Sequence, residues 1–429
     1  MQTSIDNVSY TKLGTPWLWV PTLYVAEGIP FFIVTFISVT LFKQLGMPNA
    51  PLALFTSLIS FPWIIKPLWS PFVDVIKTKR WWIITMQALM VLTTLLIALL
   101  APRGYFAIGL ILFTITAFAS ATHDIAADGF YMIALSDKQQ SAFVGIRSVF
   151  YKLASIYCQA FLLVLVGWLE KSHSVSVSWQ WTLLSVSALL AVITLWHSWQ
   201  LPRTEPLSEH KVAAAIWKEI GLTFVEFFRK PGIALALTFM LLYRLPEALL
   251  LKLCTPFFLD SIEQGGLGLT ADQIGIFYGG FGVVMMLLGG VLGGLAGSKW
   301  GLKRMIIWMC LFLTLPCIVY CYMAIVQPTN LWIISACVGF EQFGYGIGYT
   351  ACMLFMMQFA KGEHKTAHFS ICTAIMYLGL MLPGLVAGYL QEWLGYTNFF
   401  WLVMVCCIPS IAATYLVYRN LDKRIRIKE

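Results

Sequence analysis

Apolar residues run in long blocks along this chain, and polar residues collect in the gaps between them. The blocks reach 20 residues or more, whereas a half-buried strand would alternate at every second position. At about 1.5 Å per residue, a helix of that length crosses the ~30 Å hydrocarbon core of a bilayer. In the first half the blocks are Trp17–Phe42, Pro51–Val73, Trp81–Leu100, Tyr105–Ala134, Ser141–Trp168 and Trp179–Trp199. In the second half they are Gly232–Phe258, Ala271–Ala296, Met305–Ile325, Leu331–Phe359, Ala367–Leu390 and Phe399–Tyr418. The pattern predicts an all-α membrane protein with about twelve transmembrane helices. A membrane barrel would show short alternating segments instead.

The one long polar break, Leu201–Pro231, parts the blocks into six and six. The expected organisation is a six-helix bundle over 1–200, a linker over 201–231 and a second six-helix bundle over 232–429. Within the linker, Val212, Ile216, Trp217, Ile220, Phe224 and Phe227 alternate with Lys218, Glu219, Glu226 and Arg229. That pattern predicts an amphipathic helix lying on the cytoplasmic membrane face.

Composition narrows the class. Of 429 residues, 59% are hydrophobic and 11% charged, and the mean hydropathy is +0.79. A soluble domain of this size buries a core with far less apolar material. The net charge of +8 lies mostly in loops and the C-terminal tail, so it implies no nucleic acid. Met1–Pro16 is polar and the first block is too long for a signal-peptide core, so no cleavable leader is expected. The ten cysteines, Cys158, Cys254, Cys317 and Cys406 among them, fall in apolar blocks without metal-ligand spacing. They read as small buried hydrophobes, with no metal, disulfide or cofactor implied.

Lys and Arg set the orientation. One set of loops holds Lys77, Lys79, Arg80, Lys138, the basic residues from Arg203 to Lys230, Lys299, Lys303, Arg304, Lys361, Lys365 and the tail. The opposite loops hold only Lys43, Arg103 and Lys171. The richer side is the cytoplasmic one, which puts both termini inside.

Charge inside the blocks points to function. Thr122–Tyr131, THDIAADGFY, sets Asp124 and Asp128 four residues apart on one helix face. A carboxylate facing lipid costs roughly 2.5–3.5 kcal/mol at the bilayer centre, so this face is expected to look into protein or a wet cavity. Glu27, Lys66, Arg147, Lys152, Arg244, Glu247, Lys252 and Glu341 are the other ionisable residues within blocks. Signs nearly balance, as pairing across a bundle requires. Arg244 and Glu247, three apart, can pair locally. Lys66 and Lys252, nearer block ends, suit snorkelling. Asp124, Asp128, Lys66 and Arg147 also suit a salt-bridged gate on the cytoplasmic side. His123 reads as a hydrogen-bonded structural histidine, with a proton relay as the alternative. Gly28 with Pro30, and Gly344, Gly346 and Gly348, would let backbones approach or helices bend.

The two halves echo each other. WSPFVDVIKTKR (Trp69–Arg80) and GLAGSKWGLKR (Gly294–Arg304) each put a turn and a basic cluster after the second helix of a unit. Both resemble the Gly-x-x-x-Asp-Arg/Lys-x-Gly-Arg/Lys-Arg/Lys loop of the major facilitator superfamily. Asp74 keeps the acid in the first copy, and Gly301, Lys303 and Arg304 keep the end of the second, which has Ser298 at the acid position. The resemblance implies two bundles around a midplane site.

A closer likeness runs through six stretches: Tyr24–Phe31, Lys66–Asp74, Ser120–Gly129, Leu242–Ala248, Phe340–Gly348, and Thr366–Ile371 with Pro383–Gly388. In order, these are similar to the muropeptide permease (AmpG) family: YVAEGIPF to FASGLPL, KPLWSPFVD to KFLWSPLMD, SATHDIAADG to SASQDIVFDA, LYRLPEA to LYKLGDA. Glu27, Lys152, His123 and His368 depart from the family's pattern. The likeness implies a proton-coupled importer of anhydro-muropeptides in the cytoplasmic membrane, working as a monomer among membrane lipids.

Under that reading, Asp124, Asp128, Glu27, Glu247 and Glu341 are candidates for proton coupling, because a low dielectric favours a carboxylate's neutral form. Lys152 and Arg244 suit an anionic solute, Arg244 by a bidentate grip on a carboxylate. Tyr24, Gln342, Tyr345 and Tyr349 suit stacking on and hydrogen bonding to sugar rings. Lys66, Asp74 and Arg147 are gate or structural charges. Alternative solutes are an oligosaccharide, a siderophore or an acetyl-CoA-like anion. A membrane enzyme would need a catalytic dyad or metal cluster at one depth, and a scaffold would need a soluble domain; neither is evident. No nucleotide-binding loop is present.

Overall fold

The structure is a computed structural model that describes residues 16–203, 213–362 and 365–424. Every regular element among those residues is helical. Among the described residues, nine stretches are long and apolar enough to cross a membrane, and two of these, Ala271–Val326 and Ala367–Asn420, are 56 and 54 residues long. Each of the two turns back on a glycine in a left-handed, non-helical conformation: Gly301 (φ 77°, ψ 154°) and Gly395 (φ 72°, ψ 166°). A side chain there would be strained, so glycine lets the chain reverse with no loop. Counting both halves of each, and adding the 29-residue helix Leu331–Phe359, gives twelve spans.

In chain order the spans are Pro16–Gln44, Asn49–Ser70, Lys79–Arg103, Phe106–Ala134, Ala142–Glu170, Val175–Gln200, Ile233–Leu259, 271–300, 302–326, Leu331–Phe359, 367–394 and 396–420. Polar gaps start them by capping. Thr78 accepts from the Trp81 N–H, Asn330 from Trp332, and Ser136 and Thr270 form capping boxes with Gln139 and Gln273. Each cap satisfies an orphan amide and contributes about 1 kcal/mol.

Spans one to six pack together, the third lying on the fourth and sixth and the first on the fifth. In the second bundle the tenth packs on the eighth and ninth, and the seventh on the last two. A buried polar chain ties the first bundle: the Gln87 amide donates to His123 Nε2 (2.9 Å) and His197 Nδ1 (2.8 Å), and His197 Nε2 lies 2.9 Å from Thr22 Oγ1. His123 is fully buried in this chain, so it takes the structural reading.

The linker helix runs Ala213–Phe228. Its last turns dock on the second bundle, where Phe227 is fully buried against Phe359 and His368. Leu222, Val225 and Phe228 stay exposed. The helix is therefore apolar on two sides: one is held by protein and the other left open.

Three spans carry wide turns: Ile33–Ile37, Tyr157–Phe161 and Gly275–Gly282. The last two meet where the bundles touch. A Cβ on Gly279 would fall 1.9 Å from the Gln159 carbonyl, so only glycine permits that approach.

Candidate functional site

Among the described residues, charged side chains deep within the spans gather in two clusters, one per bundle. In the first, Asp124 (fourth span) pairs with Lys66 (second span). Asp128, one turn on, pairs with Arg147 of the fifth span at 2.9 Å and accepts from the Tyr24 hydroxyl at 3.0 Å. The Arg147 guanidinium lies over the Tyr24 and Tyr131 rings at 4.6 and 5.2 Å. Glu27, one turn from Tyr24, is within electrostatic reach of Asp124, Asp128, Arg147 and Lys66. Its Oε2 is shielded from solvent and takes no hydrogen bond. Three carboxylates thus face two cations.

This geometry corrects several expectations. Lys66 does not snorkel, because its ammonium is held by Asp124. Neither ion pair closes a gate between the bundles, since both join helices of the first bundle. Tyr24 is 1% exposed, sandwiched between Arg147 and Asp128, so no sugar can stack on it here. Asp74 lies near the end of the helix Phe61–Val75, and its side chain is outside the described residues.

The second cluster rests on a helix break. Pro246 has no N–H for the preceding turn, and the seventh span is interrupted at Tyr243–Arg244 before resuming at Leu245. There Arg244 Nε and NH2 donate to Glu247 Oε2 and Oε1 at 2.7 and 2.5 Å. NH2 also donates to the Tyr345 hydroxyl at 3.2 Å, and the guanidinium lies 5.0 Å from the Tyr349 ring centre. The local pair is as expected. It also occupies the guanidinium fork, which is therefore closed to a solute carboxylate in this conformation. Glu341 is also buried and accepts from its neighbour Gln342 at 2.9 Å, which uses one N–H of that amide. Lys152 is half-buried with no ion-pair or hydrogen-bond partner among the described residues.

Between the clusters stands a residue the sequence reading missed. Tyr377, on the eleventh span, is within electrostatic reach of Lys66 and Asp124 on one side and Arg244 on the other. Tyr151 reaches Tyr377, Glu27 and Tyr349. Tyr151, Tyr345, Tyr349 and Tyr377 are all only half-buried, so an aromatic wall separates two charged surfaces. Tyr377 shares a helix face with Gly384 and Gly388, a spacing that could have flagged it.

At the far end of the spans, ionic and polar groups do bridge the bundles. Lys43 pairs with Asp260 at 2.6 Å and donates to Asn49 at 2.7 Å. Asn49 donates to Gln391 (2.7 Å) and Tyr396 (2.9 Å), and the Tyr396 hydroxyl donates to Asp260 (2.6 Å). The Ala50 N–H donates to Glu392 at 2.8 Å. A Cβ on Gly388 would lie 2.1 Å from the Asn49 carbonyl. Lys43 and Asp260 are each 12% exposed, against 41% for Asp128 and 29% for Arg147. The Lys43 end is closed, and the first cluster opens to solvent from the other end.

The sequence matches the model of the Major Facilitator Superfamily over residues 22–366 and 254–428. It is 23% identical over 404 residues to the anhydromuropeptide permease of Escherichia coli K12, covering 92% of this chain and 78% of that one. It is 24% identical over 384 residues to putative transporter AmpG 2 of Rickettsia typhi, covering 86% of each. Among solved structures it is similar to a D-xylose–proton symporter: TM-score 0.70, 12% identity, 97% of this chain and 98% of that one.

Proposed function

The chain belongs to the Major Facilitator Superfamily and is a multi-pass transporter of a small solute rather than an enzyme; from that premise we propose that it imports anhydro-muropeptides, coupled to protons, across the cytoplasmic membrane. The observation that carries the coupling is the first cluster. Three carboxylates, Glu27, Asp124 and Asp128, share two cations, and one carboxylate oxygen of Glu27 is buried without a donor. A group in that position can take up a proton without breaking an ion pair.

Other half-buried groups support the choice of solute. Half-buried Tyr349 and Tyr377 offer faces for sugar rings, and Lys152 offers an uncommitted cation for the peptide's carboxylates. The relatives named for muropeptide transport favour that solute over an oligosaccharide, a siderophore or an acetyl-CoA-like anion. Lys and Arg asymmetry supports an orientation with both termini and the open end of the cluster in the cytoplasm, and the Lys43 end outside. The protein works as a monomer, with 1–200 and 232–429 moving as bundles joined by 201–231.

The test is uptake of labelled anhydro-muropeptide by proteoliposomes. Uptake should rise several-fold with an inward proton gradient and collapse with an uncoupler. Equal uptake with and without the gradient rules out coupling, and no uptake of this solute by folded protein moves the substrate elsewhere.

A further inference from the structure

Lys252, like Lys152, is an intramembrane cation that joins neither cluster among the described residues. It lies seven residues before the end of the seventh span, so about 10 Å below its outer end. Snorkelling would send its amine to the interface along the lipid-facing surface. The structure turns it inward instead. A Cβ on Gly384 of the eleventh span would lie 3.3 Å from both Lys252 Cγ and Cε. The same Cβ would lie 2.5 Å from Ser57 Oγ on the second span. Three spans from both bundles therefore converge on a glycine, whose missing side chain lets the Lys252 stem and the Ser57 hydroxyl pack against the same point.

Neither group is satisfied. Ser57 is fully buried, and its Oγ has no hydrogen-bond partner. Its neighbour Thr56 donates back to the Leu52 carbonyl at 2.7 Å, the ordinary resolution for a helical hydroxyl. Ser57 forgoes that bond and faces Gly384. Lys252 is half-buried and has no ion-pair or hydrogen-bond partner among the described residues. The two cations of the first cluster, Lys66 and Arg147, are each matched by an aspartate, and Arg244 by Glu247. A half-buried ammonium within a span, with no counter-ion from the protein, is a favourable place for an anion.

We propose that Lys252 and Ser57 form an anion subsite at the closed, outer end of the solute path, which takes a carboxylate or phosphate group of the transported solute. The proposal rests on the transporter reading for the identity of the anion's carrier. Chemically, the ammonium supplies charge, the hydroxyl supplies one directed donor, and Gly384 lets the two spans that carry them approach. Because the second, seventh and eleventh spans all contribute, the anion is held by both bundles at once. It is released when they part.

The test uses the purified full-length protein, acylated with an amine-reactive reagent while Lys252 modification is read by mass spectrometry. Three probes are compared: anhydro-muropeptide with free carboxylates, the same compound with its carboxylates amidated, and inorganic phosphate. The free acid and phosphate should slow Lys252 acylation at least fivefold, and the amide should not. Ser57→Ala should weaken that protection several-fold while leaving acylation without anion unchanged. Protection by phosphate alone keeps the subsite and overturns the muropeptide assignment. Indifference of Lys252 to every anion overturns the subsite, whatever uptake shows. So does a Lys252 that resists acylation with no anion present, since the subsite must open to the solute path. In uptake, Lys252→Gln should raise KM for the free acid at least tenfold and leave the amide unchanged, with Lys252→Arg restoring most of the loss. An equal loss on both compounds would mark Lys252 as structural.

Discussion

At the Lys43 end of the molecule, ionic and polar groups join one bundle to the other; around Asp124 and Asp128 they stay within the first bundle. The chemistry is the same at both places, a carboxylate with a cation and a tyrosine hydroxyl. The partners differ in what must happen when the bundles move. Lys43–Asp260 must break for the Lys43 end to open, and Arg147–Asp128 can persist throughout. Under the proposed function, one set of bonds sets the conformational equilibrium and the other holds charge in place for the solute and proton.

The sharpest way to break this comparison is a wedge. Gly388→Leu puts side-chain atoms where a Cβ alone would be 2.1 Å from the Asn49 carbonyl. Backbone cannot yield easily, and overpacking costs about 1–3 kcal/mol. That cost falls only on the state closed at the Lys43 end, so the population should shift roughly 10–100-fold toward the open one. Spin labels at Pro48 and Gln264 should then report a longer distance.

Removing the charge on the latch comes next. Asp260→Asn keeps the shape but loses the ion pair with Lys43 and weakens the bond from Tyr396. Charge-assisted bonds contribute about 1.5–3 kcal/mol, so a shift on the order of tenfold in the same distance measurement is expected. Lys43→Met should give a similar shift, and the double variant little more, because the two residues share one interaction.

Arg244→Lys sharpens the other side of the comparison. It removes the bidentate grip on Glu247 inside the second bundle. Stability should fall by about 1.5–3 kcal/mol, seen as a lower melting temperature. The Pro48–Gln264 distance should stay as in the parent. Least affected is Lys171→Ala. Lys171 is 67% exposed and sits 3.9 Å from Asp272 across the bundles. Exposed pairs contribute about 0–1 kcal/mol, so neither distance nor uptake should change measurably.

Much of the fold was legible because bilayer thickness fixes block length. The polar gaps after Ala296 and Leu390 hold Gly301 and Gly395, where the chain reverses. The Arg244–Glu247 pair was legible because helix geometry brings residues three apart together. Asp124 and Asp128 announced themselves by spacing and charge. Their partners did not, since Lys66 and Tyr24 lie 58 and 104 positions away and only the packed bundle selects them. The latch was hidden for the same reason: Asn49 and Tyr396 are 347 positions apart, and each alone reads as an ordinary loop residue. Yet Lys43 and Lys171, two of the three cations on the sparsely charged side, both face a carboxylate across the bundles. Tyr24 misled because a polar group in a span reads as open to a solute. Here its hydroxyl is already spent on Asp128.

The most direct measurement is a paired assay of Asp124→Asn in proteoliposomes, with gradient-driven accumulation of anhydro-muropeptide beside its exchange across the membrane without a gradient. The first cluster as the proton-coupling centre predicts that exchange survives within a few-fold while accumulation is lost. Accumulation at the parent level in Asp124→Asn, and equally in Asp128→Asn and Glu27→Gln, would contradict it.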